Sequence, residues 1–94
     1  MHYSLRFHEK ALAEWKKLGA TVREQFKKKL AERLEHPRVP ASALNGMPDC
    51  YKIKLRDAGY RLVYRVEDEI VYVTVIAVGK RERLEVYGKA KERL

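Results

Sequence analysis

Between positions 51 and 66 basic side chains alternate with apolar ones. Lys52, Lys54 and Arg56 interleave with Tyr51, Ile53 and Leu55, and Arg61 and Arg65 with Tyr60, Leu62, Tyr64 and Val66. Alternation at period two sends one kind of side chain to each face of a strand. The segment therefore predicts a sheet face of cations. Residues 52–65 hold five Lys or Arg and a single acid, Asp57. A face coated with charge for solubility mixes both signs; a face of one sign suits phosphate, binding it and stabilising charge that develops on it. The whole chain leans the same way, with 21 Lys and Arg against 13 Asp and Glu and a net charge of +8. A polyanionic partner is expected, and charge alone does not choose between nucleic acid, acidic protein and anionic lipid.

Other chemistries find little support. His2, His8 and His36 are scattered and Cys50 is the one cysteine, so no metal-ligand spacing exists and no metal site is expected. One cysteine also excludes an internal disulfide and fits a reducing cytoplasm. No apolar run approaches a membrane span. Arg6, Glu9 and Lys10 interrupt the start, so no secretory signal is expected. Ninety-four residues make one domain, 1–94, with little room for a large cofactor, and none is expected.

The elements that must position the cations follow from periodicity. Tyr3, Leu5 and Phe7 alternate with Ser4, Arg6 and His8, a half-buried strand. Leu12, Trp15 and Leu18 then fall at helical spacing with Gly19 as a stop, and Thr21 with Glu24 reads as a capping box. Val22, Phe26, Leu30 and Leu34 continue the period to Pro37. Residues 9–18 and 21–35 thus predict a helical hairpin, with Lys27, Lys28 and Lys29 on its solvated outer side. All three prolines lie in 36–49, a loop from helices to sheet. Two strands follow, joined by a turn at Asp57-Ala58-Gly59, and then a β-branched strand, Ile70–Val78, ended by Gly79. Lys80–Leu94 predicts a last helix with Val86, Ala90 and Leu94 as its stripe. The class is α+β: an N-terminal strand, a helical hairpin, a three-stranded antiparallel meander and a C-terminal helix at the sheet's edge.

Burial of one face selects the register of the first hairpin. An odd loop mixes charge and apolar groups on each face. An even loop pairs Leu55 with Leu62, Ile53 with Tyr64 and Tyr51 with Val66, and sets Arg56 opposite Arg61 and Lys52 opposite Arg65.

The same residues carry a resemblance. Met47-Pro48-Asp49-Cys50-Tyr51-Lys52-Ile53-Lys54-Leu55-Arg56, Gly59-Tyr60-Arg61-Leu62-Val63-Tyr64, Val78-Gly79-Lys80-Arg81-Glu82-Arg83 and Val86-Tyr87 resemble the RelE toxins of bacterial toxin–antitoxin systems. The stretches Ala11–Gly19 and Thr21–Gln25 agree as well, so the likeness spans essentially the whole chain. It implies a RelE-like, microbial-ribonuclease-like fold and a metal-independent endoribonuclease that enters the A site of the small ribosomal subunit and cuts the mRNA codon. In such a reaction the 2′-hydroxyl attacks the adjacent phosphate, leaving a 2′,3′-cyclic phosphate and a 5′-hydroxyl. It further implies an acidic RelB-type antitoxin as partner, contact with operator DNA only through the toxin–antitoxin complex, which represses its own operon, and a cytoplasmic location away from membranes.

Carried over residue by residue, the resemblance makes Lys52 a general base or phosphate contact. Lys54 and Arg61 would stabilise the pentacovalent phosphorane. Arg81 would contact the phosphate and is implicated in protonating the leaving group, and Tyr87 would stack on an mRNA base and orient the nucleotide. Arg56, Arg65, Lys80 and Arg83 join these five as expected RNA contacts. Two positions depart from the family pattern: Asn45 stands where a basic residue is expected, and Leu84 replaces a polar one. A lysine acts as base where neighbouring cations disfavour its ammonium form, and Lys54, Arg56 and Arg61 are those neighbours. From the residues alone, Tyr87 reads as core, three positions from Leu84; Trp15 reads as core as well and Cys50 as a small buried filler. Two alternatives stand beside this one: a ParE-type toxin of the same fold that inhibits DNA gyrase, which does not need the set Lys52, Lys54, Arg61, Arg81 and Tyr87, and a non-catalytic RNA-binding module.

Overall fold

In a computed structural model, which describes residues 2–80, 82 and 85–94, the chain runs β1 (Ser4–Phe7), α1 (Glu9–Lys16), α2 (Ala20–Glu35), a short 3-10 turn (Pro40–Ser42), β2 (Cys50–Leu55), β3 (Tyr60–Glu67), β4 (Tyr72–Lys80) and α3 (Glu85–Arg93). The α+β order is the expected one. The sheet order is β1-β4-β3-β2, with β1 parallel to β4 and the other pairs antiparallel. A parallel neighbour needs a crossover, and the α1–α2 hairpin supplies it.

The helix stripes form the main core. Ala11, Trp15 and Leu18 from the first helical segment, and Phe26 and Leu30 from α2, pack on Tyr51, Ile53, Leu55, Leu62, Tyr64, Val66, Val73, Val75 and Val78. Leu12 is 37% exposed and stands outside this core, since the buried stripe is centred one residue earlier, at Ala11. The expected capping box does not form. Gly19 is the N-cap of α2 and has no side chain to cap with; the helix begins at Ala20, one residue too early for Thr21 to serve.

The hairpin register differs from expectation by two residues. Leu55 pairs with Tyr60, Ile53 with Leu62 and Tyr51 with Tyr64. Gly59 adopts φ +71°, a left-handed conformation that costs glycine nothing, and its N–H donates to the Leu55 carbonyl at 2.8 Å, closing a four-residue turn over 56–59. A shift of two preserves both faces, because side chains alternate at period two. It does break the expected pairs: Arg56 lies in the turn rather than opposite Arg61, and Lys52 faces Val63 rather than Arg65.

The other sheet face is not wholly open. Val86 and Ala90 of α3 pack there with Met47, Cys50, Val63, Ile76 and Ala77 in a second core. The C-terminal helix therefore packs on the face that bears the cations instead of lying at the sheet's edge. A register shift in the β3–β4 ladder at Val63/Tyr64 turns the extra residue, Ile76, into this second core along with Ala77. Lys80 closes β4 rather than opening the helix, and Gly79 is inside the strand. Leu94, expected on the α3 stripe, lies beyond the helix and is 46% exposed. Cys50 is buried as expected, and burial pushes its thiol up to about 11, which makes it unreactive at neutral pH.

Candidate RNA-cleaving face

The site is assembled by pairing. Lys54 lies directly across from Arg61, and Arg61 is in turn across from Gly79 of β4. Two cations facing each other in a ladder repel, a cost that an anion bound between them removes. Lys52 stands two residues back on the same face of β2, half-buried, while Lys54 is exposed.

Gly79 lets α3 approach. A Cβ at that position would lie 3.2 Å from Cγ2 of Val86, tighter than ordinary packing. With no side chain there, α3 settles on β4 and brings Tyr87 to Arg61. The Arg61 guanidinium carbon sits 5.2 Å from the centroid of the Tyr87 ring, within cation–π range. Both groups carry a buried polar atom that has no hydrogen-bond partner among the described residues, Arg61 Nε and the Tyr87 hydroxyl. Orphans of this kind are rare in folded proteins and cost free energy. On two side chains in contact, these are donors that a phosphate or ribose hydroxyl would satisfy once it parts the guanidinium from the ring. Tyr87 is partly buried against the second core, so its ring serves as packing there.

The remaining expected contacts divide. Arg56 is exposed at the turn and shares cavity walls with Lys54 and Arg61. Arg65 lies four residues from Arg61, about 13 Å along an extended strand, and its cavity is lined by Asp49, Glu67, Asp68 and Glu69. It belongs to a mixed-charge surface rather than to the cationic cluster. Lys80 pairs with Tyr60, in the register row of the α1–α2 side, so it does not join Arg61. Arg81 and Arg83 lie outside the described residues. Among the described residues no group of three His, Cys, Asp or Glu side chains is placed to hold a metal ion.

One supporting residue is absent from the sequence reading. Arg33 of α2 donates to the Lys52 carbonyl (3.2 Å), to the Tyr64 hydroxyl (2.8 Å) and to Ser42 Oγ (3.3 Å). Tyr64 in turn donates to the Pro37 carbonyl at 2.6 Å. This fork ties the 36–49 loop and α2 to the strand that carries Lys52. Its only signal in the sequence is its place between Leu30 and Leu34, on the flank of the buried stripe.

A family model described as ParE toxin of type II toxin–antitoxin system matches residues 5–85. The mRNA interferase toxin RelE of Escherichia coli K12 is 67% identical over 94 residues, covering 100% of this chain and 99% of that protein. The chain belongs to the RelE/ParE family of type II toxins. Solved structures of RelE agree in shape. A double arginine-to-alanine mutant of E. coli RelE in the free state superposes with a TM-score of 0.93 at 65% identity, covering 100% of this chain and 99% of that one. The same mutant in complex with a RelB antitoxin peptide gives 0.84, with the same identity and coverage. The parallel β1 and the helix on the cationic face are thus features of a RelE-type toxin.

Proposed function

We propose that this protein is a ribosome-dependent mRNA endoribonuclease, the toxin of a type II toxin–antitoxin pair. One observation carries the reading: over its full length it is 67% identical to a protein named as an mRNA interferase toxin. The cluster of Lys52, Lys54 and Arg61 beside Tyr87 supports it, being built for a phosphodiester. In this reading the 2′-oxygen attacks the neighbouring phosphorus, forming the 2′,3′-cyclic phosphate, and the bond to the 5′-oxygen breaks. Lys52 takes the 2′-hydroxyl proton or holds the phosphate. Lys54 and Arg61 stabilise the doubly charged phosphorane. Arg81 serves the departing 5′-oxygen as an electrostatic stabiliser, since an arginine stays protonated and is a poor formal acid. In the free protein Arg61 covers one face of the Tyr87 ring, so a base stacks on the other face or takes Arg61's place.

Such a set has no histidine or carboxylate tuned for proton transfer. Its power must come from geometry, which explains dependence on the ribosome: the A site bends the codon towards in-line attack. Its place is the cytoplasm, where ribosomes work. Its inhibitor is an acidic RelB-type antitoxin that binds the basic surface, and operator DNA is reached only through that complex.

Primer extension on mRNA after brief induction tests the reading. Discrete cuts in the reading frame, absent when the antitoxin is co-expressed, are the expected result. The description of the matching family model favours a second reading, a gyrase inhibitor. Intact mRNA together with DNA damage would establish that one instead.

A further inference from the structure

The three consecutive lysines of α2 do not share one fate. Lys27 donates to Glu24 at 3.2 Å, an ordinary surface pair. Lys28 and Lys29 line a cavity of about 580 Å³ together with Lys54 and Arg56, where Asp57 is the single acid. No ion pair among the described residues involves Lys28 or Lys29. Lys54 and Arg56 also border two adjoining cavities, one of about 300 Å³ with Arg33 and Lys52, the other of about 180 Å³ with Arg61. The three hollows form one trough, running from α2 round the β2–β3 turn to the cationic face.

Its walls bring cations from a helix and from a strand towards one another across open space. Like charges so placed repel and focus a positive potential into the gap. A folded chain gains nothing from this unless an extended anion lies there. The largest hollow offers Leu55 as its one apolar wall. A protein partner needs apolar anchors for affinity; a sugar–phosphate backbone needs none. We propose that this trough holds the phosphodiester backbone of RNA outside the reacting codon, with Lys28 and Lys29 as contacts. The proposal rests on the ribosome-directed reading and extends its site: the trough is continuous with Lys52, Lys54 and Arg61, and Lys28 and Lys29 are the contacts it adds outside the groups that do the chemistry.

The test measures equilibrium binding of the protein to ribosomes at several salt concentrations, and separately the single-turnover cleavage rate at saturating ribosomes. The variant Lys28→Ala/Lys29→Ala should weaken binding roughly tenfold near 0.1 M salt and flatten the log–log salt slope by about 1–2, one for each lost phosphate contact. Its cleavage rate at saturation should match the parent. Lys27→Ala should leave the slope unchanged. Ribosomes programmed with mRNA ending at the A-site codon separate the two RNA sources: a persisting defect assigns the contact to ribosomal RNA, and a vanished one assigns it to downstream mRNA.

An unchanged slope in the double variant overturns the proposal. So does a defect confined to binding of the acidic antitoxin, which would make the trough a protein-docking surface. Parent protein that binds ribosomes with a steep salt slope, loses it in the double variant and yet cuts nothing would sink the nuclease reading and leave the trough standing.

Discussion

Glu14 of α1 and Arg93 of α3 form a two-pronged ion pair, 2.9 Å at each prong, around the open edge of β4. β1 accompanies β4 only as far as Val75. Beyond that point the pair does what a neighbouring strand would do. Glu14 Oε1 accepts the Val78 N–H at 3.1 Å, and Arg93 donates to the Ile76 carbonyl at 2.8 Å. The helices lie on opposite faces of the sheet, so this one contact ties both layers to the strand between them and holds Tyr87's helix in place.

Arg93→Met should therefore lower stability by about 1–3 kcal/mol, because it takes two guanidinium hydrogen bonds from the partly buried Glu14 carboxylate and the side-chain donor from the Ile76 carbonyl. Hydrogen exchange should accelerate at Val78 and along α3 more than in β2 or β3. Uniform acceleration across the sheet would show that the pair is not a local clasp.

Acid should release the same clasp. Burial by itself would push the Glu14 carboxyl up, but the hydrogen bonds from Arg93 and the Val78 N–H, with the charges of Arg93 and Lys89, hold it below the usual carboxylate range. A carboxyl lowered in the folded state contributes stability above its unfolded value, and this is lost as pH falls through the folded one. Exchange in α3 should rise below about pH 4, and Glu14→Gln should remove most of that pH dependence.

Lys52→Ala and Arg61→Ala should each slow cleavage on the ribosome about a hundredfold or more, the scale for losing one oriented charge in a developing anion's site. Fold and antitoxin binding should survive. A parent-like single-turnover rate in either variant would remove that residue from the chemistry.

Tyr87 separates into ring and hydroxyl. Tyr87→Phe deletes a buried hydroxyl without a partner, so the free protein should gain stability, by about 1 kcal/mol or more. If stacking is the ring's task, Phe should cleave nearly as the parent does, and Tyr87→Ala should lose about 1–3 kcal/mol of base contact, read as a fall in rate. Equal failure of both variants would move the role to the hydroxyl.

Val71, in the β3–β4 turn, has φ 59°, a region that a β-branched side chain resists. Its carbonyl accepts the Ser4 N–H at 2.9 Å, which fixes where β1 joins the sheet. Val71→Asn should stabilise the protein by about 1 kcal/mol, as asparagine tolerates this conformation. Thermal unfolding measures it, and a lowered midpoint would mean that the valine side chain contributes more than its strain costs.

Local periodicity determined much of this protein. The order of elements, the buried stripes through Trp15, Phe26 and Leu30, and the gathering of Lys52, Lys54 and Arg61 on one face follow from spacings of two and of three to four residues. Those spacings act within a single strand or helix and need no knowledge of neighbours. Tertiary structure decided the rest. The hairpin's exact pairs depended on which turn residue takes the left-handed conformation, a choice between two loops that bury the same face. How closely α3 settles on β4 depended on Gly79, whose missing side chain admits Val86. Arg33's support of Lys52 and the trough beside Lys28 and Lys29 join residues far apart in sequence. Such contacts have no period to read, because they arise only when separate elements meet.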